Sequence, residues 1–464
     1  MRLRHLVVEN SAVTRHRRRG LLVLAPVVAV ITALTACANS SSPSGSGSVP
    51  TLSGDCAKYQ PYSGHQGKKV TMFASIISPE SDSLQTSWAD FTKCTGITIS
   101  YEGANDFEAQ LPVRVTGGNA PDLAIIPQPG LLQQMVKTNK VAKPADGTLS
   151  NVDKYWNKAW KAYGTVNGTF YAAPMSANMK SLVWYSPKSF TAAGYKAPTT
   201  WAEMMTLSDT IAATGKKPWC GGINSGTATG WPATDWLEQV VLRTSGGDVY
   251  DKWVSHAVKF SSPEITGAMK TVQDWMLNPK YVNGGFGDVK SIATTTFQDA
   301  GKPILTGNCF MLQQASFYGA QWPKGTKIAE DGDVFAFYLP QISTSVPTPV
   351  IGGGEFLTAF SNRPEVQATQ TYLSTPEWAT NRIKAATGWV SANTGADQAA
   401  YTDPIDKLSA KYLTDTKATF RFDASDLMPA AVGSGQEWKS MTKWFAEGQS
   451  ISQVAADIDA AFPS

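Results

Sequence analysis

Carboxylates, amides and flat aromatic rings are the residues of this chain best suited to chemistry, and their spacing suits binding more than bond making. Fifteen tryptophans occur, none before residue 37. An aromatic face stacks on the apolar C–H face of a sugar ring, while Asp, Glu, Asn and Arg side chains read hydroxyls. Trp231 and Trp389 stand beside Gly-rich or polar loops, which suits a ligand, although packing in a hinge or core uses the same rings. Trp184 and Trp236 sit inside apolar runs and read as core. Asp235 and Glu238 open a helical stretch, either as acids favourable to its dipole or as readers of hydroxyls. Glu80 and Asp106 follow strand ends. Glu355 follows Gly352-Gly353-Gly354, a run that lets backbone approach a ligand closely or makes a flexible turn.

Reaction centres are harder to assemble. Past the first 36 residues there are two histidines, His65 and His256, each isolated in sequence, which argues against histidine triads and zinc sites. No nucleophile elbow occurs, and the glycine run is not followed by the Lys-Ser/Thr of a phosphate loop. A carboxylate pair for glycoside hydrolysis stays open, because acids are common and their separation is not written in the sequence. No metal site and no cofactor are expected.

The first 36 residues read as a secretion signal: Arg15 to Arg19 as a positive region, then the apolar run Leu21–Leu34, too short for a comfortable span and broken by Pro26. Leu34-Thr35-Ala36-Cys37 resembles a bacterial lipobox, which makes Cys37 the expected lipidation site. Residues 37–55 then form a Ser/Gly/Pro-rich tether. The segment before Cys37 holds six of the 40 basic residues and one of the 37 acids, so the remainder has a net charge of −2 and no basic stripe for nucleic acid. Four cysteines remain, Cys56, Cys94, Cys220 and Cys309, and an exported chain is expected to pair them. Of three possible pairings, Cys56 with Cys94 and Cys220 with Cys309 keep each bond inside one proposed lobe.

The elements that must position these residues alternate between β and α. Strands are expected at Lys69–Ile77, Ile97–Tyr101 and Pro121–Ile126, with helices at Leu84–Cys94, Asp106–Val115 and Leu131–Lys137. This alternation predicts an α/β fold with a mostly parallel sheet covered on both faces, and ligands beyond the strand ends at Ser75–Glu80, Gly103–Asp106 and Pro127–Pro129. Tyr171–Trp201 reads as a strand that leaves one lobe and starts a second, so Asn178 and Lys180 sit at a crossing, a usual place for a cleft. Thr200 and Glu203 match a capping box. A strand at Lys302–Met311 delivers Gln314, Ser316 and Phe317 to its far end, and Pro347–Pro349 marks the return crossing. Two crossings make each lobe discontinuous: 56–176 with 348–395, and 177–347 with 396–464.

With lipobox, tether and two β/α lobes, the chain resembles the solute-binding lipoproteins of bacterial ABC importers, and within them the α-glucoside-binding group. The matching segments are Gly117–Ala124, Pro127–Gly130, Lys180–Tyr185, Pro198–Trp201, Gly230–Glu238 and Gly352–Phe356. The resemblance implies a two-lobe, periplasmic-binding-protein-like fold that closes by hinge bending on a ligand in the cleft. It also implies docking on a membrane permease, with ATP hydrolysed elsewhere. By position on the matching loops it implies cleft roles for Glu80, Asp106, Gln128, Lys180, Trp231, Asp235, Gln314, Ser316, Phe317, Gly354, Glu355 and Trp389. Arg421, between Phe420 and Phe422, reads either as a further ligand residue or as a salt bridge. The expected function is capture of an α-glucoside such as trehalose, maltose or sucrose by a monomeric, lipid-anchored, non-catalytic protein on the outer face of the cell membrane. A secreted glycoside hydrolase and a binder of polyols or other solutes are the rival readings.

Overall fold

The computed structural model describes residues 49–463. The expected signal at 1–36, the lipidation at Cys37 and residues 37–48 of the tether lie outside the described residues. Among the described residues no helix is long and apolar enough to cross a membrane.

Short apolar runs separated by amphipathic helices build the first lobe. Strands β1 (Lys69–Ala74), β2 (Thr98–Gly103) and β3 (Leu123–Ile126) are parallel, with β1 between the other two. The side chains of β1 and β3 alternate between two buried faces: Val70, Met72, Leu123 and Ile125 pack on one side, Phe73, Ala124 and Ile126 on the other. Burial on both faces explains why β1 and β3 read as largely apolar runs, whereas β2, at the sheet edge, keeps polar and partly exposed residues. The helix expected at Leu84–Cys94 is two helices, Glu80–Thr86 and Ala89–Thr95, and the break at Ser87-Trp88 lets Trp88 pack in the core.

The hairpin β4 (Thr165–Val166) and β5 (Thr169–Phe170) turns at Asn167-Gly168, both with positive φ as such a tight turn requires. The chain then crosses: β6 (Ala172–Pro174) belongs to the first sheet, β7 (Asn178–Met179) to a connecting sheet, and β8 (Leu182–Tyr185) to the second lobe. There β9 (Lys217–Trp219), β10 (Cys309–Gln313) and β11 (Phe335–Tyr338) complete a four-stranded sheet of order β11-β8-β10-β9. The return runs through β12 (Pro349–Gly353) into β13 (Phe356–Ala359), and β14 (Thr419–Phe422) follows near the end. The connecting sheet has the order β14-β12-β7, so a third strand accompanies the two expected crossings.

Only part of the sheet structure is parallel. β13 pairs antiparallel with β3 and β6, and β8 pairs antiparallel with both β10 and β11. A parallel neighbour needs a covering crossover on the same sheet, whereas these strands arrive from the other lobe and run back beside their partners.

The glycine run is explained by that crossing. A Cβ on Gly352 would stand 2.6 Å from the Phe420 ring and 2.8 Å from the Asn178 carbonyl, and one on Gly354 would stand 2.4 Å from the Ser176 carbonyl. Backbone meets backbone here, so side chains are excluded by the strand contact itself.

Around β8 and β10, the helices Trp201–Ala213, Trp231–Val254, Pro263–Met276 and Trp438–Glu447 enclose the largest core. Within the stretch 396–422, Tyr401 and Ala410 pack in the core of the first sheet, while Ile405 packs with Leu182 and Trp184 beside the second. Thr200 and Glu203 form the capping box. The disulfides are Cys56–Cys94 and Cys220–Cys309, one beside each sheet.

Candidate functional site

The carboxyl ends of the first-lobe strands, the crossing strand and the second-lobe helices converge on one cavity with an empty volume of about 930 Å³ including its mouth. The loop after β1 contributes Ser75 and Glu80, that after β2 Asn105 and Glu108, that after β3 Gln128, and the turn after β12 Gly354 and Glu355. Asn178 and Lys180 enter from the crossing, and Asp423 and Asp426 from the end of β14.

The second lobe supplies an aromatic wall. Trp231, Phe297 and Phe317 are half-buried, with ring centroids 5.0 Å apart for Trp231–Phe297, 6.0 Å for Trp231–Phe317 and 6.3 Å for Phe297–Phe317. Trp231 opens the helix Trp231–Val254 after Gly230, whose φ of 114° is closed to most side chains. Trp438 also lines the cavity, and its buried indole N–H has no protein acceptor.

Charge is concentrated at the crossing. The buried Lys180 ammonium donates to Asp235 Oδ1 at 2.7 Å and to Asp423 Oδ2, and lies 5.2 Å from the Trp231 ring centroid. Burial works against the ammonium, yet Asp235 and Asp423 hold its pKa well above the usual lysine value. Asp423 also accepts from the Asp426 backbone N–H and the Ser425 hydroxyl, at 2.9 and 2.8 Å. Burial opposes its ionisation, but Lys180 and these donors hold it below the ordinary value. Asp235 is pushed up, first by burial and then by Asp423, with Lys180 opposing. The two carboxyls thus share one negative charge against one ammonium. Asp235, Glu238 and Asp423 bring oxygens within 4.8 Å of one another; Asp235 and Asp423 hold the Lys180 ammonium, while Glu238 accepts from the Tyr250 hydroxyl and the Ser425 N–H.

On the first lobe, Glu80 and Glu355 are half-buried and line the cavity. Burial raises Glu80 to about 7 with Arg382 opposing, and burial plus repulsion from Glu80 raises Glu355 to about 8. Gln128 donates to Glu108 Oε1 at 3.1 Å, which leaves Gln128 Oε1 and Glu108 Oε2 buried without a donor. Buried polar atoms are seldom left unpaired, so these two mark where a ligand hydroxyl would bond.

Of the residues expected at the cleft, Glu80, Gln128, Asn178, Lys180, Trp231, Phe317, Gly354 and Glu355 line the cavity, and the other six do not. Asp106 precedes the helix Phe107–Thr116, which turns Asn105 and Glu108 to the wall instead. Asp235 lies behind Lys180. Gln314 Oε1 accepts from the Ala315 N–H at 2.8 Å, and Ser316 Oγ from the Met179 N–H at 3.1 Å, so both serve the backbone. Trp389 packs edge-on against Trp378, with Arg382 5.4 Å from its ring. Arg421 makes a two-bond pair with Asp251 at 2.7 and 2.9 Å, the salt-bridge alternative.

Glu108, Phe297, Asp423, Asp426 and Trp438 line the cavity without having been expected there. Asp423-Ala424-Ser425-Asp426 carries a readable signal, a capping acid straight after a β-run. Phe297 and Trp438 have none, because only long-range folding brings them in.

Residues 77–380 match the family of bacterial extracellular solute-binding proteins. The chain belongs to that family. Two relatives match this solute-binding protein along most of its length. The osmoprotective compounds-binding protein GgtB of Synechocystis is 34% identical over 400 residues, 85% of this chain and 93% of its own. The alpha-glucosides-binding periplasmic protein AglE of Rhizobium meliloti is 34% identical over 410 residues, 86% and 88%. Among solved structures, the bacterial solute receptor AcbH superimposes with a TM-score of 0.73 at 18% identity, covering 85% of this chain and 98% of its own. That likeness speaks for the two-lobe fold.

Proposed function

We propose that this solute-binding protein captures a neutral α-glucoside in the cavity and delivers it to the permease of an ABC importer. In this reading it is a non-catalytic monomer, held on the outer face of the cell membrane by lipid on Cys37. The observation that carries it is the meeting, in one cavity, of the Trp231–Phe297–Phe317 wall with the carboxyls of Glu80 and Glu355 and the unpartnered acceptors of Gln128 and Glu108. Ring faces stack on the aromatic side while hydroxyls donate to the acid and amide side. Binding energy realised only with both walls in contact selects the closed arrangement of the lobes. The name of the AglE relative supports an α-glucoside, and that of GgtB supports an osmoprotective solute, which keeps polyols as the second reading.

The test is a tryptophan-fluorescence titration with trehalose, maltose, sucrose, glucose, glycerol and a β-linked disaccharide. A saturable change with one α-glucoside, recovered intact afterwards, supports the proposal. A response to glycerol alone favours the polyol reading, turnover of the sugar favours a hydrolase, and silence across the panel removes the α-glucoside. Trp231→Ala should weaken the responding ligand by about 2 kcal/mol, roughly thirtyfold in Kd by calorimetry, as loss of a central aromatic anchor does.

A further inference from the structure

We infer that Arg382 is a positioning residue for the two carboxyls of the first-lobe wall. From behind the cavity it supplies the one positive charge that Glu80 and Glu355 share, so that the pair meets a sugar as one carboxylate and one carboxylic acid. The inference rests on the proposed sugar-binding function and names what sets the hydrogen-bonding character of that wall.

Arg382 lies in the last turn of the helix Pro376–Ala385. Glu80 opens the helix Glu80–Thr86, and the two helices are tied by the Trp378 indole N–H, which donates to Ser87 Oγ at 3.0 Å. The arginine is 1% exposed and is not on the cavity wall. Its Nε and Nη1 are buried without an acceptor among the described residues. The Trp389 ring, 5.4 Å away, packs beside the guanidinium, which accounts for a tryptophan that does not reach the cavity. A guanidinium stays charged even when buried, so a counter-charge has to stand near it.

Four titratable groups face Arg382: Glu80, Glu355, Asp406 and Tyr101. The Tyr101 hydroxyl donates to the Ile76 carbonyl at 2.6 Å, and burial keeps it neutral. Asp406 accepts from the Gly388 N–H at 3.0 Å, yet burial and the neighbouring Asp403 hold its pKa well above the ordinary value. Lys180 also faces Glu355, but its ammonium is held by Asp235 and Asp423. That leaves Glu80 and Glu355, two acids on the wall, against one guanidinium. With both ionised they repel each other, and with both neutral the guanidinium has no counter-charge. One negative charge between them balances it. Their titration fits: burial and repulsion push them to about 7 and about 8 while Arg382 opposes, so near neutral pH the pair has given up one proton and keeps the other. A sugar hydroxyl both donates and accepts. The carboxylate takes its proton in a charge-assisted bond, and the neighbouring carboxylic acid donates to a hydroxyl oxygen. Arg382 thus acts on the ligand through the acids, without lining the cavity.

Carboxyl carbon NMR of the full protein labelled with carbon-13 glutamate, titrated without ligand, reads the pair directly. In Arg382→Met and in Arg382→Gln, which keeps donors without the charge, the first ionisation of the pair should move up by about one pH unit or more. Arg382→Lys, which keeps a charge, should bring it back towards the wild-type value. In Glu80→Gln, Glu355 becomes the remaining counter-charge and should titrate about one unit lower. A purely structural arginine would lower the melting temperature and leave these titrations where they are. Calorimetry with maltose and trehalose across the same pH range then reads the consequence. Affinity should be greatest between the two ionisations, and Arg382→Gln should bind about tenfold more weakly at neutral pH and recover as pH rises. Unmoved titrations in the folded Arg382 variants, or an unmoved Glu355 in Glu80→Gln, would overturn the inference and leave the proposed function intact. Moved titrations with an affinity indifferent to pH and to Arg382 would overturn the role of the pair in reading the sugar. Failure of both sugars to bind the wild-type protein at any pH would overturn the maltose or trehalose reading and, with it, the role given to the pair, whatever the titrations show.

Discussion

Removing the Lys180 ammonium would leave Asp235 and Asp423 buried side by side without their cation. Lys180→Met should therefore destabilise the protein by about 3–5 kcal/mol in chemical denaturation, the usual cost of breaking one side of a buried pair. Because its pKa is raised in the fold, the stabilisation from Lys180 is complete below the ordinary lysine pKa and is lost only at strongly alkaline pH. An unchanged denaturation midpoint would mean that the two carboxyls are both neutral in the native state. At this scale the sequence was legible where the residue type itself was informative. A lysine on a strand crossing, a tryptophan after a glycine and an acid after a glycine run all reached the cavity wall. It was illegible where direction mattered: Asp106 and Asn105 are neighbours in sequence, and the helix start turns only one of them inward.

Elements were legible where a local rule fixes them. The capping box at Thr200, the Pro187 start and the left-handed Gly194 end of the helix Pro187–Ala193 follow from side-chain and backbone chemistry within a few residues. The strand expected at Lys302–Met311 shows the converse. Residues Lys302–Thr306 form a short helical turn, Gly307 takes a φ of 69°, and only Cys309–Gln313 is strand. Apolar character alone does not separate a buried turn from a buried strand. The disulfides act at this scale too. Their sequence separations are 38 and 89, so in the chain-entropy model they contribute about 4 and about 5 kcal/mol. The double substitution Cys220→Ser with Cys309→Ser should lower the urea midpoint more than Cys56→Ser with Cys94→Ser. The reverse order would show that the loops are already restricted in the unfolded chain.

For the whole molecule, the buried acids set the pH dependence of stability. Glu80 and Glu355 titrate near 7 and 8 in the fold and near 4.3 when unfolded, so the native state holds more protons between those values. Stability of the ligand-free protein should fall as pH rises from about 4.5 to about 8 and then level off. Asp423 has the opposite sign: its lowered pKa gives stability above the ordinary aspartate range that is lost on acidification. A thermal-shift optimum near pH 5 is the expected outcome, and a profile rising steadily to pH 8 would contradict these buried acids. The sequence by itself determined the alternation of strands and helices, the crossing at Tyr171–Trp201 and the residue types available for binding. These depend on periodicity, turn residues and caps that act over a few residues. Tertiary structure alone decided that sheet pairing reverses where strands arrive from the other lobe, that Gly352–Gly354 serves a backbone contact, and that Phe297 and Trp438 join a wall built mainly from distant segments. Those outcomes depend on which surfaces meet when two lobes pack, and contacts between residues hundreds of positions apart leave no local pattern in the chain.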